Sequence, residues 1–170
     1  NPALSLLVGA ATTRSGGSEL VGIAVIFPGQ GTQTTGMGAP WRDHPAWSVV
    51  DRADAALGEP LSALVLDAPA EQLARTRDAQ LAVLLTSLVA WEAVRERIEA
   101  PIAFAGHSLG QVTALIASGA LPLEEGVQFA ARRAELTQSA ADVHPGRMAA
   151  LLGASLEQAE EACRAAPDGC

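Results

Sequence analysis

The sequence predicts an α/β chain built on a parallel sheet, and three observations carry that expectation. Residues 22–27 (Gly-Ile-Ala-Val-Ile-Phe) form a continuous apolar run closed by Pro28-Gly29, the pattern of a strand buried on both faces. Residues 101–105 (Pro-Ile-Ala-Phe-Ala) make a second such strand and run straight into Gly106-His107-Ser108-Leu109-Gly110. Stretches with helical spacing lie between and after the two runs, so strands alternate with helices as they do in parallel sheets.

Element by element, residues 10–18 (Ala-Ala-Thr-Thr-Arg-Ser-Gly-Gly-Ser) are small and polar, the composition of a linker or exposed loop. After the first strand, residues 47–57 and 70–76 read as short helices, and residues 80–98 as a long, mostly apolar one ending in a charged turn. Residues 111–118 continue from the second strand as an apolar helix. Pro122 suits a first helical turn, and Glu124 and Glu125 complement the N-terminal dipole of a helix over residues 123–141. At 100° per residue, Gly126, Phe129, Ala130, Leu136, Thr137 and Ala140 share the side of Arg133, whereas Glu125, Gln128, Glu135 and Ser139 surround Arg132. Arg132 is therefore expected in solvent and Arg133 inward. Residues 147–153 read as a short strand and 156–166 as an amphipathic helix, after a Pro145-Gly146 break.

Composition narrows the function. The 170 residues are 49% hydrophobic and 18% charged, enough to bury a core and unlike a disordered chain. A net charge of −8, with scattered arginines, argues against nucleic acid and against an anionic membrane as partners. Every one of the eleven basic residues is arginine, which removes the Walker A lysine and any Schiff-base nucleophile. Cys163 and Cys170 give neither a disulfide framework nor metal-ligand spacing, so no metal is expected and the compartment reads as the reducing cytoplasm; no cofactor is expected either. The start has no basic region ahead of its apolar residues, so no signal peptide is expected, and no apolar run reaches membrane-spanning length. The chain reads as a piece of something longer.

Gly106-x-Ser108-x-Gly110 sits at a strand-to-helix junction, the pattern of a nucleophile elbow. Small flanking residues permit a strained turn that lifts the hydroxyl clear, and the following helix offers N–H donors for an oxyanion. The alternative is a glycine turn with an incidental serine. His107 adjoins Ser108, so its side chain diverges from that hydroxyl and suits packing or site lining. His44 and His144 lie in polar, loop-like stretches, so the general base is expected from outside this chain. Gly29-Gln30-Gly31 could suggest a dinucleotide loop, but the third glycine of that fingerprint would fall at Thr34. The other reading aims the Gln30 amide into the same crevice as Ser108, and an ordinary turn is the third. Arg133 on an apolar helix face needs an anion, either a structural carboxylate or the carboxylate of a substrate held in a bidentate clamp.

These blocks together resemble the malonyl-CoA:acyl carrier protein transacylase family, including the acyltransferase domains of polyketide synthases. The resemblance rests on Phe27-Pro-Gly-Gln-Gly-Thr-Gln33, Gly36-Met37-Gly38, Thr76-Arg-Asp-Ala-Gln80-Leu-Ala82, Gly106-His-Ser-Leu-Gly110, Ala117-Ser-Gly119, Arg133 and Gly146-Arg-Met-Ala-Ala150, in that order over residues 22–153. It implies a hydrolase-like, parallel-sheet large subdomain over residues 22–145 and the start of a small ferredoxin-like subdomain over 146–170, with 1–21 a linker or N-terminal extension. It also implies that Ser108 takes an acyl group from coenzyme A as an ester and passes it to an acyl carrier protein thiol, in fatty acid or polyketide biosynthesis. Gln30 and the Leu109 N–H would then form the oxyanion hole, Arg133 would hold the free carboxylate, and His107 and Gln80 would line the site. Leu109 after the serine is similar to malonyl-selective members, and malonyl-CoA is the implied substrate.

The sequence departs from the family pattern at Gln111, where glutamate is usual, and at Leu81, where proline is common. By the resemblance, the family's catalytic histidine would lie beyond residue 170; after Ser108 this sequence has a single histidine, His144. A second chain or a further C-terminal segment is the expected source. Two other readings stay open: a serine acyl hydrolase on the same fold, in which water replaces the carrier thiol, and a catalytically incomplete fragment.

Overall fold

The computed structural model describes residues 7–15, 18–144, 151 and 153–165. Strand β1 (Leu7–Ser15) and strand β2 (Ser18–Phe27) pair antiparallel from Leu7↔Ile26 to Ser15↔Ser18. The segment whose composition suggests a linker thus forms much of a strand, which its Val8, Thr12 and Thr13 favour as β-branched residues. After β2 come two single 3-10 turns and then helices α1 (Ser48–Leu57), α2 (Ser62–Leu66), α3 (Ala70–Leu73) and α4 (Thr76–Val94). Strand β3 (Ala103–Gly106) follows and pairs parallel with β2, from Ala24↔Ala103 to Phe27↔Gly106. The sheet order is β1-β2-β3, so the two apolar runs read from the sequence are the parallel pair. Helices α5 (Gly110–Ala117), α6 (Leu123–Val143) and α7 (Leu156–Ala165) complete the described chain.

Helix α4 organises the core. Every residue from Asp78 to Trp91 is buried, which requires a helix covered on all sides, and its sequence is apolar nearly all round. Leu81, Leu84, Leu85 and Val89 pack with Val49 and Val50 of α1, Val65 of α2, and Val127 and Ala130 of α6. At the sheet, Val25 and Phe27 pack with Trp91 and Ala114, and Trp91 meets Phe104 edge-on at 5.3 Å between ring centroids.

The strands are not buried on both faces as their apolar runs suggest. Val25 and Phe27 are fully buried, but Ile26 is 39% exposed, and Ala103 and Ala105 of β3 are exposed as well. Among the described residues α4 and α5 cover one face of the β2–β3 pair and leave the other open, with Ile102 beside it 52% exposed. An uninterrupted apolar run reports what a strand could bury, not what covers it.

By internal contacts the chain divides into Asn1–Gln138 and Ser139–Cys170, and the Pro145-Gly146 break lies outside the described residues. In the second unit, Ser155 caps α7 in a reciprocal box: its Oγ accepts from Gln158 N–H at 3.2 Å, and Gln158 Oε1 accepts from Ser155 N–H at 2.8 Å. The strand expected over residues 147–153 falls mostly outside the described residues. Among the described residues, no helix is long and apolar enough to cross a membrane.

Candidate active site

The chain turns sharply between β3 and α5, and Ser108 is at the apex with φ +52°, a left-handed conformation that a residue with a Cβ rarely adopts. Both flanking glycines are required by space. A Cβ on Gly106 would fall 2.0 Å from the Gly110 carbonyl carbon, and one on Gly110 would fall 2.3 Å from the Phe27 carbonyl oxygen. Three backbone bonds tie the turn: His107 N–H to Phe27 O at 3.1 Å, Gly110 N–H to His107 O at 2.8 Å, and Gln111 N–H to Ser108 O at 3.2 Å. The fully buried Leu109 side chain anchors it in the core. Ser108 itself is exposed, and among the described residues the Leu109 N–H has no hydrogen-bond acceptor. A free N–H at the start of α5 is what a developing oxyanion beside Ser108 would use.

The loop after β2 lies against this turn. A Cβ on Gly29 would meet His107 O at 2.7 Å and His107 Nδ1 at 2.9 Å, so the imidazole lies over Gly29. Gln30 is exposed and makes no hydrogen bond among the described residues, which leaves its amide free. Gln33, which sequence reasoning recorded only as part of a motif, holds the loop: its Oε1 accepts from Gly31 N–H at 2.8 Å and its Nε2 donates to Leu73 O at 3.1 Å. Gly31 has φ +110°, a value open to glycine. The side chain at the third position after Gln30 thus closes a polar turn, a local pattern that glutamine satisfies by reaching both partners.

Arg133 comes from α6. It is half-buried, at the margin of a buried stripe made by Leu123, Gly126, Val127, Ala130, Ala131 and Ala134. Phe129 and Leu136, expected on the inward side with it, are 58% and 54% exposed, because the small residues rather than the large ones pack on the core. Arg132 is exposed and pairs with Glu135 at 3.2 Å, as its position on the outer face implies. Arg133 Nη2 donates to Ser108 Oγ at 2.9 Å, and its Nη1 donates to Gln80 Oε1. Among the described residues no carboxylate lies within ion-pair distance of Arg133, so the structural-partner alternative has no acid to supply it. Arg77 illustrates the contrast, since both Glu59 oxygens accept from its Nη2 at 2.8 and 2.9 Å.

Gln80, from α4, is 3% exposed. Its Oε1 receives Arg133, and its Nε2 donates to Thr137 Oγ1 at 2.9 Å. The Thr137 hydroxyl is in turn within reach of the Arg133 and Ala134 carbonyls, both at 3.0 Å.

The histidines separate by environment. His44 accepts from Ala46 N–H at 3.1 Å through Nδ1 and meets Trp41 edge-on at 6.0 Å, a capping role that occupies it. His107 lines the turn, and no histidine among the described residues bonds Ser108 Oγ. The hydroxyl accepts from Arg133 and keeps its own proton available to a base. A cavity of about 420 Å³, lined by Val49, Leu88, Trp91 and Ser118, opens at the other end of α5 from Ser108. Among the described residues no group of His, Cys, Asp and Glu could hold a metal ion.

Comparison with known proteins shows the family. Residues 24–169 match the family described as acyl transferase domain. The malonyl CoA-acyl carrier protein transacylase of Bacillus subtilis is 40% identical over 137 residues, which are 79% of this chain and 43% of that protein. The crystal structure of the corresponding transacylase from Streptococcus pneumoniae matches with a TM-score of 0.73 and 38% identity, over 85% of this chain and 48% of that one. A malonyl-transacylase solved in complex with a type II polyketide synthase acyl-carrier protein matches with a TM-score of 0.63 and 36% identity, over 69% of this chain and 39% of that one. The chain therefore spans less than half the length of these relatives. With its parallel β2–β3 pair, its strained serine turn and a family match running from within β2 to residue 169, the chain belongs to the acyl transferase domain family.

Proposed function

We propose that this chain supplies the nucleophile half of an acyltransferase that moves a malonyl-type acyl group from coenzyme A to the thiol of an acyl carrier protein, in fatty acid or polyketide biosynthesis. The observation that carries the reading is the Arg133 guanidinium 2.9 Å from Ser108 Oγ, with no carboxylate paired to it among the described residues. An uncompensated, half-buried cation beside a reactive hydroxyl selects an acyl group that brings its own negative charge.

In the proposed sequence, Ser108 Oγ loses its proton to a base and attacks the thioester carbonyl carbon. The C–S bond breaks, coenzyme A leaves as the thiol, and the acyl group stays as a Ser108 ester. The Leu109 N–H and the Gln30 amide receive the oxyanion in each tetrahedral stage. The carrier thiol then attacks the ester and restores Ser108. Arg133 holds the distal carboxylate throughout, with Gln80 behind it and His107 lining the turn. The base is assigned to a histidine from the second half of the domain, on this chain's continuation or on a second chain, since His44 caps a turn, His107 lies over Gly29, and no described histidine bonds Ser108 Oγ.

The relatives are named for malonyl-CoA and for an acyl carrier protein, which supports that substrate and that partner for this chain. The exposed free thiol of Cys163 suits the cytoplasm as the site of action. The test is partitioning of the acyl group. The complete acyltransferase, given malonyl-CoA and a phosphopantetheinylated carrier protein, should load the carrier thiol faster than it releases free malonate. Release of malonate at the same rate with and without carrier would assign the hydrolase instead.

A further inference from the structure

We infer that Thr137 is a positioning residue that sets the direction of the Gln80 amide and, through it, the place of the Arg133 guanidinium. The inference rests on the proposed role of Arg133 and extends it to a side chain outside the site.

The argument is one of donors and acceptors. A guanidinium has donors only, so the buried Gln80 amide must turn its oxygen toward Arg133 Nη1. Its nitrogen then points the other way, from a residue only 3% exposed toward α6. Thr137 Oγ1 receives it at 2.9 Å. The hydroxyl can do so because its own proton is directed at the Arg133 and Ala134 carbonyls one turn back, both 3.0 Å away. The polarity of the relay is therefore set at the threonine end: carbonyl, hydroxyl, amide nitrogen, amide oxygen, guanidinium, and finally Ser108 Oγ at 2.9 Å from Nη2.

Valine at 137 would have nearly the same shape and no oxygen. The Gln80 nitrogen would then lose its acceptor, and the alternative amide orientation would set NH2 against the donors of Arg133. Either outcome lets the guanidinium drift from the position where it meets a substrate carboxylate. An acetyl group has no carboxylate, so the loss falls on the malonyl substrate and not equally on both.

The experiment compares malonyl-CoA with acetyl-CoA in the complete acyltransferase, measuring kcat and KM for the wild type, Thr137→Val, Thr137→Ser and Arg133→Ala. We expect Thr137→Val to lower the malonyl-to-acetyl ratio of kcat/KM by about tenfold, mainly through KM for malonyl-CoA. Thr137→Ser, which keeps the hydroxyl, should restore the ratio to within about twofold of the wild type. A Thr137→Val ratio equal to that of the wild type, while Arg133→Ala loses it, would overturn this inference alone. So would an equal loss on both substrates that serine does not rescue. A wild type without malonyl preference, or an Arg133→Ala variant that keeps it, would instead remove the reading of Arg133 on which the inference stands.

Discussion

At the scale of the residue, the site depends on atoms that are absent as much as on those present. Gly106 and Gly110 leave the space through which the turn closes, and Ser108 takes the left-handed conformation between them. Gly106→Ala should destabilise the fold by about 3 kcal/mol, read as a fall in the midpoint of chemical unfolding, because the colliding atoms are backbone and cannot swing aside. An unchanged midpoint would mean that the turn is not closed as described. Arg133→Lys keeps the charge but cannot address Gln80 and Ser108 through two nitrogens of one plane. The expected loss is about 10–100-fold in kcat/KM for malonyl-CoA. Lysine at wild-type efficiency would show that charge alone suffices. The residue types at the site were legible in the sequence because the elbow is local: two glycines, one serine and a strand before them. The Gln80–Thr137 contact was not, because it joins residues 57 positions apart and a wheel drawn on one helix cannot name the partner on another.

Elements obey the same division. Helix α4 was legible as long and apolar, and its burial on all sides follows from that. Its start at Thr76 was not, because Thr76, Arg77 and Asp78 read as polar, yet Asp78 is buried within 3.7 Å of Arg77, and Arg77 is tied to Glu59. Helix α2 was missed for its five residues, too few to show a period. The buried stripe of α6 was misplaced toward Phe129 and Leu136 because large apolar residues were given more weight than Gly126, Ala130 and Ala134, which allow closer approach. Leu84→Ala in the middle of α4 should cost about 2–5 kcal/mol in unfolding free energy, and a cost below 1 kcal/mol would contradict its central place in the core. Helices α1 and α6 are also tied by Arg52 and Glu124, at 2.7 Å. The backbone N–H at the start of α6, and then Arg52, hold the Glu124 carboxyl below the usual carboxylate range. A lowered folded-state value stabilises above the unfolded carboxylate range and is lost as pH falls through the lowered value. The Glu124 carboxyl should titrate below a solvated glutamate by NMR and rise part of the way back in Arg52→Gln. A titration at the solvated value would remove the tie from the account.

For the whole molecule, the open side of the sheet is the dominant fact. Ile26 and Ile102 are exposed on the first unit, and Leu115, Phe129 and Leu136 add further apolar surface, in a chain that spans less than half of its relatives. Sequence patterning marked those strands as buried on both faces and could not show which residues would cover the second face. This chain by itself should bind an apolar dye such as ANS, and adding the second half of the domain should suppress the signal. No dye binding by the chain alone would mean that the face is already covered. The proposed chemistry is acylation of Ser108 under the control of Arg133. It is tested most directly by incubating the complete acyltransferase with an equimolar mixture of malonyl-CoA and acetyl-CoA, quenching in acid and mapping the adduct by peptide mass spectrometry. The account expects one malonyl ester, on Ser108, absent in Ser108→Ala and outcompeted by acetyl in Arg133→Ala. An adduct on any other residue, or a Ser108→Ala protein that still acquires it, would contradict the account.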